Sequence, residues 1–326
     1  MLLDLLKEKR CFKLVCGAGN EDTAEVEKLV TLYSKAGCNF FDLCAKPEIV
    51  EAAKRGLEKA GIKKDRYLCV SVGIQGDPHV SKAHINQDTC IKCGECEKVC
   101  LQKAIIKTPD SYDVSSKRCI GCGRCISICP SQCIETSSES KNLKEVLPQI
   151  VKKGIDCIEF HVLGEDETEV DEKWNDIHSC FDGILSICID RTKMGNDKIL
   201  SRVKRMLKDR KPYTTIIQAD GAPMSGGEDD FKTTLQAVAT AEVFQNAKLP
   251  VYLLLSGGTN SKTTELAKLC DISSSGVAIG SYARKIVREY IDKDDFLENK
   301  EAFSKALSIA QNLVERSLEY LNGNEA

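Results

Sequence analysis

The sequence predicts an α/β protein: a (β/α)8, TIM-barrel-like domain with a small α+β segment inserted after the third strand. Three observations lead there. Short apolar runs alternate with amphipathic stretches of helical period along most of the 326 residues, as in parallel strands joined by right-handed helical crossovers. The alternation is interrupted once, from about residue 84 to residue 136, where cysteines are concentrated. Counted across that interruption the strands reach eight, the number that closes a barrel, although alternation by itself also suits an open doubly wound sheet. Residues 1–83 then form the first part of the barrel, 84–136 the inserted segment and 137–326 the remainder.

Each element has a local cause. Phe12 to Cys16 is an apolar run halted by Gly17-Ala18-Gly19 and reads as a buried strand. Asp22 or Thr23 can cap the next helix, whose apolar face is Val26, Leu29, Val30 and Tyr33 and whose stop is Gly37. Strand Asn39 to Leu43, helix Pro47 to Lys59 with its stop at Gly61, and strand Tyr67 to Val72 follow. Beyond the interruption come helix Leu143 to Lys153, strand Asp156 to Phe160, helix Val170 to His178 and strand Gly183 to Ile189. Helix Lys198 to Lys208, strand Thr214 to Gln218, helix Phe231 to Gln245 and strand Val251 to Leu255 continue the pattern. Helix Thr263 to Leu269, strand Gly276 to Ile279 and an amphipathic helix from about Ala302 to Leu321 complete it.

The interruption holds the run C-x2-C-x2-C-x3-C twice, at Cys90, Cys93, Cys96 and Cys100 and at Cys119, Cys122, Cys125 and Cys129. This is the ligand spacing of bacterial-type ferredoxins with two [4Fe–4S] clusters. Three thiolates two residues apart wrap a tight loop around three corners of a cubane. The loop cannot close on the fourth corner, so the fourth cysteine, starting a short helix that points away, ligates the other cluster. Cys90, Cys93, Cys96 and Cys129 are assigned to one cluster, and Cys119, Cys122, Cys125 and Cys100 to the second. Zinc sites use paired Cys-x2-Cys with four ligands per metal, a different pattern from two identical quartets. Pro130 follows the second quartet where Leu101 follows the first, and neither supplies a ligand. A ninth thiol, Cys133, aligns with Ala104, an apolar helix position, and reads as a small hydrophobe packed against the cluster.

Acidic and basic residues nearly balance at a net charge of −3, which argues against a nucleic-acid partner. Eighteen cysteines in a chain this long point to a reducing, cytoplasmic setting in which thiolates stay free for iron. The opening Met-Leu-Leu-Asp-Leu-Leu-Lys-Glu-Lys-Arg mixes charges with leucines and reads as neither a secretory signal nor a membrane span.

In a barrel, strand ends gather on one rim, where active sites lie. The candidates there are Asn20, Asp42, Glu159, His161, Asp190, Arg191, Gln218, Asp220, Asn260, Ser281 and Arg284. Gly257, Gly258, Gly280 and Ser281 follow the last two strands, where backbone N–H groups can approach the phosphate of a small phosphorylated ligand or of FMN. The glycine-rich loop from Asp220 to Glu228 can fold over such a ligand. His161 is an acid–base candidate as well as an ordinary hydrogen-bonded residue. Cys16 and Cys44 can converge with Cys188 on a further metal, or all three can be buried small hydrophobes.

Several stretches together carry a family likeness: Phe12-Lys-Leu-Val-Cys-Gly-Ala18, the double cysteine motif, Gln218-Ala-Asp-Gly-Ala-Pro-Met-Ser-Gly-Gly227, Leu249-Pro-Val-Tyr-Leu-Leu-Leu-Ser-Gly-Gly-Thr-Asn260, Lys262-Thr-Thr-Glu-Leu-Ala267 and Gly276-Val-Ala-Ile-Gly-Ser-Tyr-Ala-Arg-Lys285. They resemble the light-dependent period modulator (LdpA) family of cyanobacteria over nearly the whole chain, the C-terminal stretches making the match specific. The resemblance implies an iron–sulfur protein that feeds redox state into circadian timing through a redox or signalling protein partner.

Two functions are therefore expected. The first is redox sensing by the clusters, with an acidic partner suggested by Lys92, Lys98, Lys103, Lys117, Arg118 and Arg124. The second is an oxidoreductase whose clusters relay electrons to a flavin or substrate in the barrel mouth. No convincing catalytic pair stands out in the sequence, which favours the first.

Overall fold

The structure is a computed structural model and describes residues 1–62, 64–74, 81–138, 142–162, 166–222 and 227–321. Its strands are β1 (Cys11–Val15), β2 (Phe40–Cys44), β3 (Tyr67–Gly73), β4 (Ser81–Ile85), β5 (Ile105–Lys107), β6 (Tyr112–Val114), β7 (Ile134–Ser138), β8 (Cys157–His161), β9 (Ile184–Ile189), β10 (Thr215–Asp220), β11 (Tyr252–Ser256) and β12 (Gly276–Ile279). Eight of them close a barrel in the order β1-β12-β11-β10-β9-β8-β3-β2. Every neighbouring pair in it is parallel. The sheet is closed, and an open doubly wound arrangement is excluded. Along the chain between β3 and β8 lie two antiparallel pairs, β4 with β7 and β5 with β6.

Helices lie between successive barrel strands because their apolar stripes need the outer face of the sheet. One continuous core joins Val26, Leu29, Tyr33, Ile49, Val50, Ile150, Trp174, Val203, Phe244 and Leu313 to strand residues such as Leu14, Phe41, Val70, Ile158 and Leu255. Asp22 is the cap of helix Thr23–Lys35, accepting from the N–H groups of Ala24 and Glu25 at 3.1 Å each. Gly61 ends helix Pro47–Ala60 at φ +73, a left-handed conformation glycine takes without strain.

The barrel interior is built in levels two residues apart, as strand geometry requires. Cys11, Phe40, Cys69, Cys157, Ile216 and Leu254 form an apolar lower level, closed from below by Leu2 and Leu6. Those leucines belong to a helix, Leu2–Lys7, which the sequence pattern did not suggest. Each buried leucine contributes about 1.5–3 kcal/mol. Two residues further along the strands stand Lys13, Asp42, Ser71, Glu159, Ser186 and Gln218, all at most 2 % exposed. A further two residues along β8, β9 and β10 stand His161, Cys188 and Asp220, also buried. The interior thus passes from apolar to charged towards the strand C-termini, where barrels carry their ligand sites.

After β12 the chain forms two short helices, Ser281–Ile286 and Arg288–Ile291, before the long helix Lys300–Glu319. Only the last was expected from the sequence. Among the described residues no helix is long and apolar enough to cross a membrane.

Candidate functional site

The two cysteine motifs fold into near-identical loops. Lys92 and Gly94 in the first, and Gly121 and Gly123 in the second, adopt positive φ at matching places. This alternation curls each loop so that its cysteines converge on one side. Gly94 is fixed sterically as well, since a Cβ there would lie 2.7 Å from the Tyr112 hydroxyl. Helices Glu95–Lys98 and Arg124–Ile128 follow. The fourth cysteines do not start these helices, as the sequence suggested, but stand at their ends: Cys129 is a C-cap and Cys100 lies just beyond. A helix of about one turn turns the chain through just enough rise to deliver its last thiol to the other loop.

Two cavities result. One is bordered by Cys90, Cys93, Cys96 and Cys129 with Ile85, Ile91, Tyr112 and Ile134. The other is bordered by Cys119, Cys122, Cys125 and Cys100 with Ala83, Ala104, Ile105 and Ile120. Each draws three cysteines from one motif and one from the other. Donor groups tight enough for a single ion, among the described residues, lie elsewhere, and no motif cysteine belongs to one. The quartets surround wider spaces, which suits a four-iron cubane better than zinc. Burial, reinforced by Cys122, Cys119 and Cys100, pushes the Cys125 thiol up to about 12, so a cation beside it would favour its thiolate. The N–H of Ala83 donates to Cys119 Sγ at 3.3 Å and that of Ala104 to Cys100 Sγ at 3.2 Å.

Cys133 lines the first cavity too, with its sulfur 3.5 Å from that of Cys129. Neither it nor Ala104 is helical: both are buried residues immediately before a strand.

The second cavity faces the barrel. Gln102 on its wall accepts at Oε1 from Arg284 Nε and Arg288 Nη2, both at 3.2 Å. Arg288 reaches Glu25 at 2.9 Å, and Arg118 bridges Glu25 at 3.0 Å and Asp292 at 2.6 Å. Lys103 adds an ion pair to Asp292 at 2.9 Å. Burial alone would raise the Glu25 carboxyl, but the guanidiniums of Arg288 and Arg118 outweigh it and hold its pKa below the ordinary value. Lys82 donates to the carbonyls of Gly19 and Cys119, and Glu21 N–H to the Lys117 carbonyl at 2.7 Å.

The rim candidates separate into two sets. Asp42, Glu159 and Gln218 are not on the rim but inside, around Lys13. The Lys13 ammonium contacts Glu159 Oε2, lies 3.1 Å from Gln218 and 3.6 Å from Asp42. Ser71 donates to Asp42 at 2.6 Å and Ser186 to Glu159 at 3.1 Å. Burial disfavours the charge on Lys13, yet Asp42, Cys69 and Glu159 raise its pKa well above the ordinary value. Burial raises the Asp42 carboxyl, with Lys13 opposing and Glu159 adding to it. His161 Nε2 lies 3.2 Å from Glu159 Oε1, and Cys188 donates to Asp220 Oδ2 at 2.5 Å. Lys13 was missed because it sits within an apolar run, where a lone lysine reads as an interruption.

The second set holds loops. Asn20 donates to the Cys16 carbonyl, Asp190 accepts from Thr192, and Arg191 reaches the Ala239 carbonyl. Asn260 ties down the carbonyls of Glu228 and Asp230. Arg284 is buried against the Val15 carbonyl. Gly257 and Gly258 have φ of +64 and +71, and a Cβ on Gly257 would lie 2.7 Å from the Gly221 backbone. Gly280 packs against Val15, and Ser281 begins the short helix that follows. Within the glycine-rich loop, residues 223–226 lie outside the described residues. Cys16 and Cys44 are buried and belong to neither of the close donor groups, although Cys188 belongs to one.

Residues 149–316 match the family model described as the light dependent period A C-terminal domain, and residues 83–136 the 4Fe-4S dicluster domain. The chain is 30% identical over 304 residues to light dependent period A of Synechococcus elongatus, covering 89% of this chain and 84% of that protein. Similar solved structures include dihydrodipicolinate synthase from Oceanobacillus iheyensis, with TM-score 0.45, 8% identity, and coverage of 99% of this chain and 85% of that one. Another is the carboxyl transferase domain of pyruvate carboxylase from Rhizobium etli, with TM-score 0.46, 11% identity, and coverage of 99% and 50%.

Proposed function

The chain belongs to the light dependent period A family, and we propose from that premise that it is a redox-sensing regulatory protein holding two [4Fe–4S] clusters with crossed ligation. Cys90, Cys93, Cys96 and Cys129 hold one, and Cys119, Cys122, Cys125 and Cys100 hold the other. The observation that carries this reading is the pair of cavities, each walled by one of these quartets. When bound, such clusters supply reversible one-electron chemistry.

The chain's own residues then set what that chemistry does. The Ala83 and Ala104 N–H groups favour added negative charge at Cys119 and Cys100, which raises the potential of the barrel-side site. Arg284, Arg288 and Arg118 stand close behind it and respond to that charge through Gln102, Glu25 and Asp292. Redox state thereby reaches the barrel loops, and a redox or signalling protein reads the outcome. No nucleic-acid contact is needed.

Oxygen-free purification followed by iron analysis tests this: about eight irons per chain are expected. In Cys129→Ala, the iron lost should be that held by Cys90, Cys93 and Cys96. Zinc in place of iron, or loss from the Cys119 site instead, refutes crossed ligation by clusters.

A second reading is favoured by the charged barrel interior: an oxidoreductase relaying electrons to FMN or a phosphorylated substrate, with Gly257, Gly258, Gly280 and Ser281 near its phosphate. Acid treatment of the purified protein would release that molecule, and release of none counts against this alternative.

A further inference from the structure

Where the polar level of the barrel meets the level beyond it, Glu159, His161 and Cys188 present one ligand atom each, all within 4.8 Å of one another, and all three residues are buried. We propose that they form a site for a single divalent cation of borderline softness, separate from the motif cysteines.

The topology places these donors without distorting the strands. Glu159 and His161 are two residues apart on β8, so both project inwards; His161 is in register with Cys188 on β9, and Cys188 with Gln218 on β10, two residues before Asp220. Nitrogen, thiolate and carboxylate together suit zinc or ferrous iron, whereas magnesium and calcium prefer oxygen alone.

The carboxylate is already oriented. Lys13 and Ser186 hold Glu159 Oε2, while Oε1 accepts from the Ser71 hydroxyl at 3.3 Å and lies 3.2 Å from His161 Nε2. Such supporting bonds fix a ligand's rotamer before the metal arrives. Asp220, 2.5 Å from Cys188 Sγ, is placed to take the thiol proton as the thiolate forms.

Charge supports a cation as well. Asp42, Glu159 and Asp220 are buried at 1 %, 2 % and 3 % exposure. Asp42 and Glu159 share the ammonium of Lys13. Buried carboxylates without enough positive charge are costly, and a dication would offset that even beside Lys13.

The test is zinc uptake by oxygen-free, cluster-containing protein, followed by zinc-edge X-ray absorption. One zinc per chain is expected, with a shell of one sulfur and nitrogen or oxygen for the rest. Cys188→Ser and His161→Gln, checked for native circular dichroism and iron content, should each weaken zinc binding at least tenfold. An all-sulfur shell would mean that zinc had entered the motif cysteines and would overturn the proposal. Absence of uptake, or unchanged affinity in both variants, would overturn it equally.

Discussion

Gln102 Oε1 lies 3.2 Å from Arg284 Nε, which ties a residue two positions beyond Cys100 to a guanidinium buried at the end of the barrel. The same oxygen receives Arg288. Gln102→Leu removes this acceptor from both, while Arg284 keeps the Val15 carbonyl and Arg288 keeps Glu25. Stability should fall by about 1–3 kcal/mol, measured by chemical denaturation without oxygen. An unchanged midpoint would mean that the two arginines are satisfied without Gln102.

Glu25 gives this contact a pH dependence. Its folded pKa is depressed below the ordinary 4.5, so the stability it adds is complete above that value and is lost as pH falls through the lower folded pKa. Glu25→Gln should therefore be less stable than the parent at neutral pH, and the gap should narrow below about pH 4.5. Taking the difference between the two proteins cancels the acid sensitivity they share. A gap that is constant with pH would show that the carboxylate's charge contributes nothing.

Lys13→Met leaves Asp42 and Glu159 buried without their ammonium. The cost should be about 3–5 kcal/mol, and adding Glu159→Gln should recover part of it. Equal losses in the single and double variants would mean that the lysine acts by packing alone.

Cys133→Ala probes the ninth thiol, which touches Cys129 and lines the same cavity. Iron content should stay at the parent's level with at most about 1 kcal/mol of stability lost. If half the iron disappeared, Cys133 would have to be a ligand.

The eight barrel strands were legible because each is a short apolar run with a helix-period stretch after it, and the cysteine motifs because their spacing is a chemical constraint. The charged interior was only half legible. Glu159, His161, Gln218 and Asp220 were visible as strand-end polar residues, but their depth was not, since depth depends on the stagger of strands around the ring. Lys13 shows the limit most clearly. A period of two from Cys11 would have placed it inside, yet a lysine on an otherwise apolar strand carries no sign of which carboxylates await it across the barrel. The opening helix, seated by Leu2 and Leu6, was hidden by its brevity.

Among the described residues, the polar contacts that grip the cysteine module include those from just after β1, at Gly19 to Glu25, and just after β12, at Arg284 to Asp292. Those two strands are the first and last of the ring and pair with each other, Cys11 to Gly276 through Leu14 to Ile279. The module is thus a clasp fastened over the join where the two ends of the barrel meet. Stripping the iron would slacken that join before any other, and amide exchange in these two strands would quicken while the far side of the ring stayed shut.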